Sequence, residues 1–234
     1  IARHLIRAAE AGKQVAVVME LKARFDEARN VSWARELELA GVHVNYGLVG
    51  LKTHAKCILV VREEAGAIRR YVHLATGNYN SVTARSYEDI GFFTCEETVG
   101  RDATQLFNYL TGYGREPKYE QLLVAPHQLK TEIIRLIENE ATFGTEGRIT
   151  FKLNAVQDPQ VIEALYAASS AGVKIHLIVR GICCVRAGVP GMSENITVRS
   201  VLGRYLEHSR IYRFAHGYDG SEPLHLIGSA DLMI

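Results

Sequence analysis

The 234-residue chain has 27 Lys and Arg against 26 Asp and Glu, a formal net charge of +1, so as a whole it is not a basic nucleic-acid binder. Hydrophobic residues make up 47% and charged residues 23%, enough apolar material for one large domain or two of about 100 to 120 residues. No apolar run approaches the ~20 residues that cross a bilayer, and the four cysteines form no CxxC pair, which reads as reduced thiols in a cytosolic protein.

Ile1 to Ala11 read as a helix with Ile1, Leu5, Ile6 and Ala9 on one face. Ala11-Gly12 stops it, because Gly accepts the left-handed conformation after a helix. A continuous apolar strand, Val15 to Met19, follows, closed by Glu20 with Lys22 and Arg24 just beyond. Val42 to Tyr46 is a second strand. His54-Ala55-Lys56 lies in a third that runs on through Cys57 to Val61. HLATGNYN (73–80) reads as a strand and a turn, Ile90 to Cys95 as a strand, and Asp102 to Gly112 as a helix. After a break within 114–125, a helix from Pro126 to Glu140 opens the second half, with Phe151 in that half's first strand. Ala171-Gly172 stops the next helix, and the strand Ile175 to Val179 ends in Arg180. Ile196 to Val201 is a strand, His208-Ser209-Arg210 sits in another, and HLIGSAD (225–231) is a strand and a turn. The final strand, Leu224 to Ile234, runs off the end and the first helix begins at once, so a fragment of a longer protein is expected.

The same five features occur twice in the same order, and Asn80 and Asp231 fall at corresponding places. That predicts an α/β fold of two duplicated units, 1–121 and 122–234, the second C-terminally incomplete. Continuous apolar strands predict parallel strands buried on both faces.

Residues i and i+2 of a strand share a face, so His54 projects with Lys56 and His208 with Arg210. A neutral imidazole is a competent nucleophile toward phosphorus. A neighbouring cation offsets the charge on the transferring group. Two such copies are expected to converge on one phosphate, one His attacking while the other handles a proton or holds oxygens. Asn80 is placed to orient a ring or bind phosphate, with Asp231 in the matching role. Arg180, ending an apolar run, needs an anionic partner, whereas Arg24 has Asp26 and Glu27 as alternative partners. From Lys174 to Arg213 there are seven basic residues and two acidic ones, a local cationic stretch suited to an anionic ligand. Tyr87 reads by pattern as a packing residue. No HExxH or close His pair favours a metal site among the nine histidines.

At this level of detail the triplets resemble the duplicated HxK motifs of the phospholipase D superfamily, in which one His becomes a phosphohistidine. The chain departs from HxKxxxxD, with Val61 at the Asp position and Arg210 in place of the second Lys. Those departures look like the polyphosphate kinases. The matching stretches are ELKARFDEARN (20–30), GLKTHAKC (50–57), YVHLATGNYN (71–80), ARSYEDIGFFT (84–94), LIVRGICC (177–184), RYLEHSRIYRF (204–214) and IGSAD (227–231).

This resemblance implies two tandem phospholipase D-like α/β sandwich domains and reversible transfer of the ATP γ-phosphoryl group to inorganic polyphosphate, releasing ADP. It makes His54 the phosphorylated residue and His208 the second catalytic histidine, which also contacts ATP phosphates. Tyr87 and Arg180 match ATP-binding positions, and Lys56, Arg210 and Asn80 are expected on phosphate. Arg24 matches a position of the Mg²⁺ site. A guanidinium has no lone pair to give a metal, so Arg24 is read as holding phosphate near Mg²⁺. The resemblance further implies a homo-oligomer, cytoplasmic or peripheral to the inner membrane, with no nucleic-acid partner. Two rivals use the same residues: a phosphodiesterase or nuclease that passes the phosphoryl group to water, and a non-enzymatic polyanion-binding module.

Overall fold

The computed structural model describes residues 1–20, 27–48, 50–112, 118–220 and 222–233. Lys22, Arg24 and Asp26 lie outside the described residues. The chain forms two compact units: one takes 1–55, 59–71 and 95–121, the other 56–58, 72–94 and 122–234. Each is mixed α/β.

The first unit holds α1 (Ala2–Glu10), β1 (Ala16–Val18), α2 (Glu27–Leu39) and β2 (His43–Asn45). β1 and β2 pair in parallel, Ala16 opposite His43 and Val18 opposite Asn45. The stop after α1 is the expected one, with Gly12 at φ 79°. The long hairpin of β3 (Cys57–Glu64) and β4 (Ala67–Ala75) begins in the second unit and turns in the first. After β5 (Tyr87–Glu88) and β6 (Gly91–Thr94) of the second unit comes α3 (Glu97–Leu110), back in the first. The pattern placed the start of α3 at Asp102. The helix begins five residues earlier and runs through Gly100, a poor helix former. A Cβ on Gly100 would come within 2.9 Å of Arg70 Cβ. Asp102, fully buried, accepts the amides of Glu120 (3.1 Å) and Gln121 (2.7 Å), tying α3 to the segment that follows it.

The second unit contains the main hydrophobic core. Its elements are α4 (Leu129–Ala141), β7 (Arg148–Leu153), α5 (Pro159–Ser170), β8 (Lys174–Val179), β9 (Ile196–Arg199), β10 (Leu206–Glu207), β11 (Arg210–Phe214) and β12 (Leu224–Gly228). Five strands form one sheet in the order β12-β11-β7-β8-β9. β7, β8 and β9 are parallel, whereas β11 runs antiparallel to both β7 and β12. α4 buries Leu129, Ile133, Leu136 and Ile137, a single stripe at helical spacing. α5 opens on Asp158, whose carboxylate caps the amides of Gln160 (3.0 Å) and Val161 (3.2 Å) and pairs with Lys130 at 2.8 Å. It ends as the sequence predicts, at Gly172 with φ 103°. Phe151 and Phe214 are fully buried and meet edge to face, 5.4 Å between centroids.

Three further expectations need correction. β8 alternates rather than being buried on both faces: Ile175, Leu177 and Val179 are buried, while Lys174 and His176 reach solvent. α4 and α5 pack on one side of the sheet, which is sufficient to bury only alternate residues. α4 begins at Leu129 rather than Pro126, since 125–128 is a turn closed by the Gln128 amide on the Val124 carbonyl, 2.9 Å. The last strand stops at Gly228. The chain then leaves the ladder, and the Leu232 carbonyl accepts the amides of Gln157 (2.7 Å) and Asp158 (3.1 Å).

Candidate active site

Both histidines lie just ahead of their strands, not inside them. β3 starts at Cys57, one residue after Lys56, and β11 starts at Arg210 itself. In the second unit the reason is visible. β10 pairs in parallel with β5, Leu206 opposite Tyr87 and Glu207 opposite Glu88. The amides of His208 and Ser209 then both donate to one acceptor, the Glu88 carbonyl, at 3.2 and 3.0 Å. Two donors on one carbonyl break the ladder, and the chain turns there from β5 to its antiparallel partners.

This crossover brings Tyr87 and Asp89 beside His208. The Tyr87 and His208 rings are 5.0 Å apart and tilted by 58°. His208 Nδ1 lies 2.8 Å from Asp89 Oδ1. The same oxygen accepts the Thr76 hydroxyl at 2.7 Å, and the Thr76 oxygen accepts the Ile90 amide at 2.9 Å. Gly77 lies flat against this carboxylate, where a Cβ would overlap it. Thr76 and Gly77 of the HLATGNYN stretch thus hold Asp89, and Asp89 holds the ring.

His208 is 7% exposed. Burial lowers its pKa below the ordinary 6.5, and the charges of Arg210 and Arg180 push the same way, against the Asp89 bond, which raises it. The ring is therefore neutral at pH 7, with Nδ1–H donated to Asp89 and the lone pair on Nε2.

Arg210 is sealed, 4% exposed. Its Nε and Nη2 donate to Asp231 Oδ2 at 3.2 and 2.9 Å, and its Nη1 to the His208 carbonyl at 2.7 Å. Asp231 Oδ1 accepts the amides of Asn154 (2.7 Å) and Ala155 (3.2 Å). The Asn154 amide fits with its oxygen toward the Arg210 guanidinium and its nitrogen toward the Glu207 carbonyl, 3.2 Å away. Lys152 grips both neighbours of His208: its Nζ donates to Ser209 Oγ at 2.7 Å and pairs with Glu207 at 3.0 Å.

Arg180 follows β8, half-buried, its amide on the Leu153 carbonyl at 3.1 Å. Its Nη1 is buried and has no hydrogen-bond partner among the described residues. Leaving such a donor unmade costs about 1–3 kcal/mol, more when it is charged, so the position suits an anion. Arg180 lines a shallow cleft with Lys152, Leu153, Ile178, Val201 and Glu207.

In the first unit His54 is exposed, on a stretch without regular structure. The preceding residue, Thr53, donates its amide to Glu20 Oε2 at 3.2 Å. Lys56, assigned to the second unit, is 7% exposed, and its carbonyl accepts the Ala75 amide at 3.0 Å. Asn80 Oδ1 accepts the amides of Val82 (2.8 Å) and Thr83 (3.3 Å), just ahead of a single 3₁₀ turn, Thr83–Arg85. The structure thus gathers Tyr87, Arg180, His208, Arg210 and Asp231 in one unit and adds Asp89, Thr76, Lys152 and Asn154, which sequence reasoning missed. Asp89 stands two residues after Tyr87 in a stretch singled out by its text, but its partner lies 119 positions away.

Among the described residues no group of three or more His, Cys, Asp or Glu converges on a metal position. Near His208 the carboxylates of Asp89, Asp231 and Glu207 are each engaged by a cation, a ring or an amide. The donor set fits an anion rather than a resident cation. All four cysteines are free, and burial pushes the Cys57 thiol up to about 11.

Residues 1–116 match the family model described as Polyphosphate kinase C-terminal domain 1, and residues 122–234 match Polyphosphate kinase C-terminal domain 2. The chain is 59% identical over 236 residues to the polyphosphate kinase of Synechocystis sp., covering 100% of this chain and 32% of that protein. To the polyphosphate kinase of Mycobacterium avium it is 58% identical over 236 residues, with the same coverage. The crystal structure of polyphosphate kinase from Porphyromonas gingivalis is similar with a TM-score of 0.87 at 40% identity, covering 100% of this chain and 39% of that one. The chain spans about one third of the length of these curated relatives.

Proposed function

The chain belongs to the polyphosphate kinase family, and from that premise we propose that it carries the catalytic centre for reversible transfer of the ATP γ-phosphoryl group, through a phosphohistidine at His54, to the end of a polyphosphate chain. A His54 nitrogen attacks the γ-phosphorus, the bond to the bridging oxygen breaks, and ADP leaves with that oxygen. A terminal oxygen of polyphosphate then attacks the same phosphorus and the P–N bond breaks. A P–N bond is comparable in energy to a phosphoanhydride, so the reaction runs both ways.

The observation that carries this reading is the buried guanidinium nitrogen of Arg180, without a partner among the described residues, in the unit that holds a neutral His208. A cation short of an anion and an imidazole with a free Nε2 lone pair suit a phosphate ligand. In this reading His208 and Arg180 hold phosphate oxygens, Tyr87 packs beside them, and Arg210 acts by fixing His208 through its carbonyl. The exposure of His54 supports its role, since a nucleophile must be reachable. Arg24, Lys56 and Asn80 remain on the phosphate path as part of this proposal.

When bound, Mg²⁺ would offset phosphate charge, and Arg24 would hold phosphate oxygens beside it. The proposed architecture is two phospholipase D-like domains divided at 121/122. Its support is that β1–β2 and β8–β9 are both parallel pairs preceded by a helix and a positive-φ Gly, and that each triplet leads into an antiparallel strand. Homo-oligomerisation and a cytoplasmic or membrane-peripheral location belong to the same proposal. No helix among the described residues is long and apolar enough to cross a membrane.

The test uses the full-length protein and γ-labelled ATP. An acid-labile, base-stable phosphoprotein is expected, and His54→Ala should abolish it. Accumulation of the same label in His54→Ala would place the nucleophile elsewhere. Nucleotide or head-group release without ADP would favour hydrolysis over phosphoryl transfer to polyphosphate.

A further inference from the structure

Glu20 lies two residues beyond β1, where the sequence repeat aligns it with Arg180 after β8, and nothing in the proposed chemistry uses it. Its backbone is held at the carboxyl end of the β1–β2 pair: the preceding Met19 amide donates to the Asn45 carbonyl at 2.8 Å, and the Asn30 side chain donates to the Glu20 carbonyl at 3.2 Å. From this fixed base its carboxylate crosses 33 positions of sequence to accept the Thr53 amide at 3.2 Å. On its other side Thr53 is pressed against Gly47, where a Cβ would lie 2.6 Å from Thr53 Oγ1. Gly47 also sits at φ 77°, so the position excludes a side chain twice over. The residue before His54 is therefore gripped from two directions, on a stretch that no β-ladder orders.

We propose that Glu20 is a positioning residue for His54, holding the Thr53 peptide so that the exposed imidazole meets the γ-phosphorus in line. The proposal rests on the phosphohistidine reading above. A charge-assisted bond to a backbone amide is about twice as strong as a neutral one, so the Glu20 carboxylate holds the Thr53 peptide firmly. In-line transfer is sensitive to geometry, and a displacement of about 1 Å costs on the order of 10²-fold in rate. Glu20 touches no reacting atom, so its effect falls on the chemical step rather than on nucleotide binding.

The experiment compares full-length wild type, Glu20→Ala, Glu20→Gln and His54→Ala in single-turnover labelling with γ-labelled ATP, alongside kcat, KM for ATP and thermal melts. Glu20→Ala should slow phosphoenzyme formation by about 10²-fold, with KM changed less than about 2-fold. Glu20→Gln keeps an acceptor for the Thr53 amide and removes the charge. It should recover most of the rate, with KM equal to or below that of wild type. A wild-type labelling rate in Glu20→Ala overturns the proposal. So does equal impairment in Glu20→Gln, which would mean that the charge acts rather than the hydrogen bond. If Glu20→Ala does not fold, Gly47→Ala carries the test, pushing Thr53 while leaving Glu20 intact. A folded variant with slow labelling supports the grip, and one with wild-type labelling overturns it. Label that survives in His54→Ala overturns the phosphohistidine reading, and this proposal with it.

Discussion

Around His208 the ring nitrogen Nδ1 and the flanking polar groups are paired: Asp89 on the ring, Lys152 on both flanking residues, and Arg210 on its carbonyl, backed by Asp231. Around His54 the chain has no regular structure, the ring is exposed, and the neighbouring Thr53 peptide donates to Glu20, an acidic side chain just beyond β1. The triplets share a sequence pattern and differ in solvation, in the sign of the residue that grips their neighbours, and in the burial of their rings. A duplicated motif need not mean a duplicated role. The buried ring is kept neutral and fixed, which suits holding and proton transfer, and the exposed one can be reached by two substrates in turn.

The largest effects should come from breaking the closed side. Arg180→Ala removes the one buried guanidinium nitrogen left without a partner among the described residues, and kcat/KM for ATP should fall by about 10²–10³, as for loss of one donor to developing charge. Arg210→Ala should behave differently. It strands the Asp231 carboxylate in the interior, so a loss of about 3–5 kcal/mol of stability is expected, read by denaturant titration. Lys in its place should not rescue, because it cannot bridge two acceptors with a planar fork. Phe151→Ala should cost a similar ~3–5 kcal/mol by opening the core beneath β7 and β11. An Arg210→Ala protein that kept wild-type stability and lost only ATP affinity would show that this side chain serves the substrate directly.

The smallest effect is a titration. The folded-state pKa of His208 lies below 6.5, so as pH falls through 6.5 the unfolded chain takes up this proton first and the folded state loses stability. Above 6.5 both states are neutral there and the contribution is fully present. An NMR titration of His208 should therefore show a midpoint below 6.5. Because the Asp89 bond raises the value, Asp89→Asn should move the midpoint lower still. A midpoint above 6.5 would show that the Asp89 charge outweighs burial.

What the sequence made legible was local. The Gly12 and Gly172 stops, the apolar strands after them and the stripe of α4 follow from backbone freedom and helical spacing, which neighbouring residues carry by themselves. What it hid was long-range or conditional. The two-residue strands β5 and β10 are too short to leave a pattern, yet their pairing sets Asp89 against His208. Gly100 reads as a helix breaker until Arg70 is seen to lie on it. Arg210 reads as a phosphate ligand from its place in the triplet, and only the fold shows Asp231 and the His208 carbonyl already there.

The measurement that tests the asymmetry most directly is the location of the phosphoryl group. Full-length protein would be charged with γ-labelled ATP, quenched in base, digested, and the label mapped by mass spectrometry in wild type and in His208→Ala. The account predicts label on His54 in both, accumulating more slowly in His208→Ala, and none on His208. Label on His208 in the wild type would contradict it.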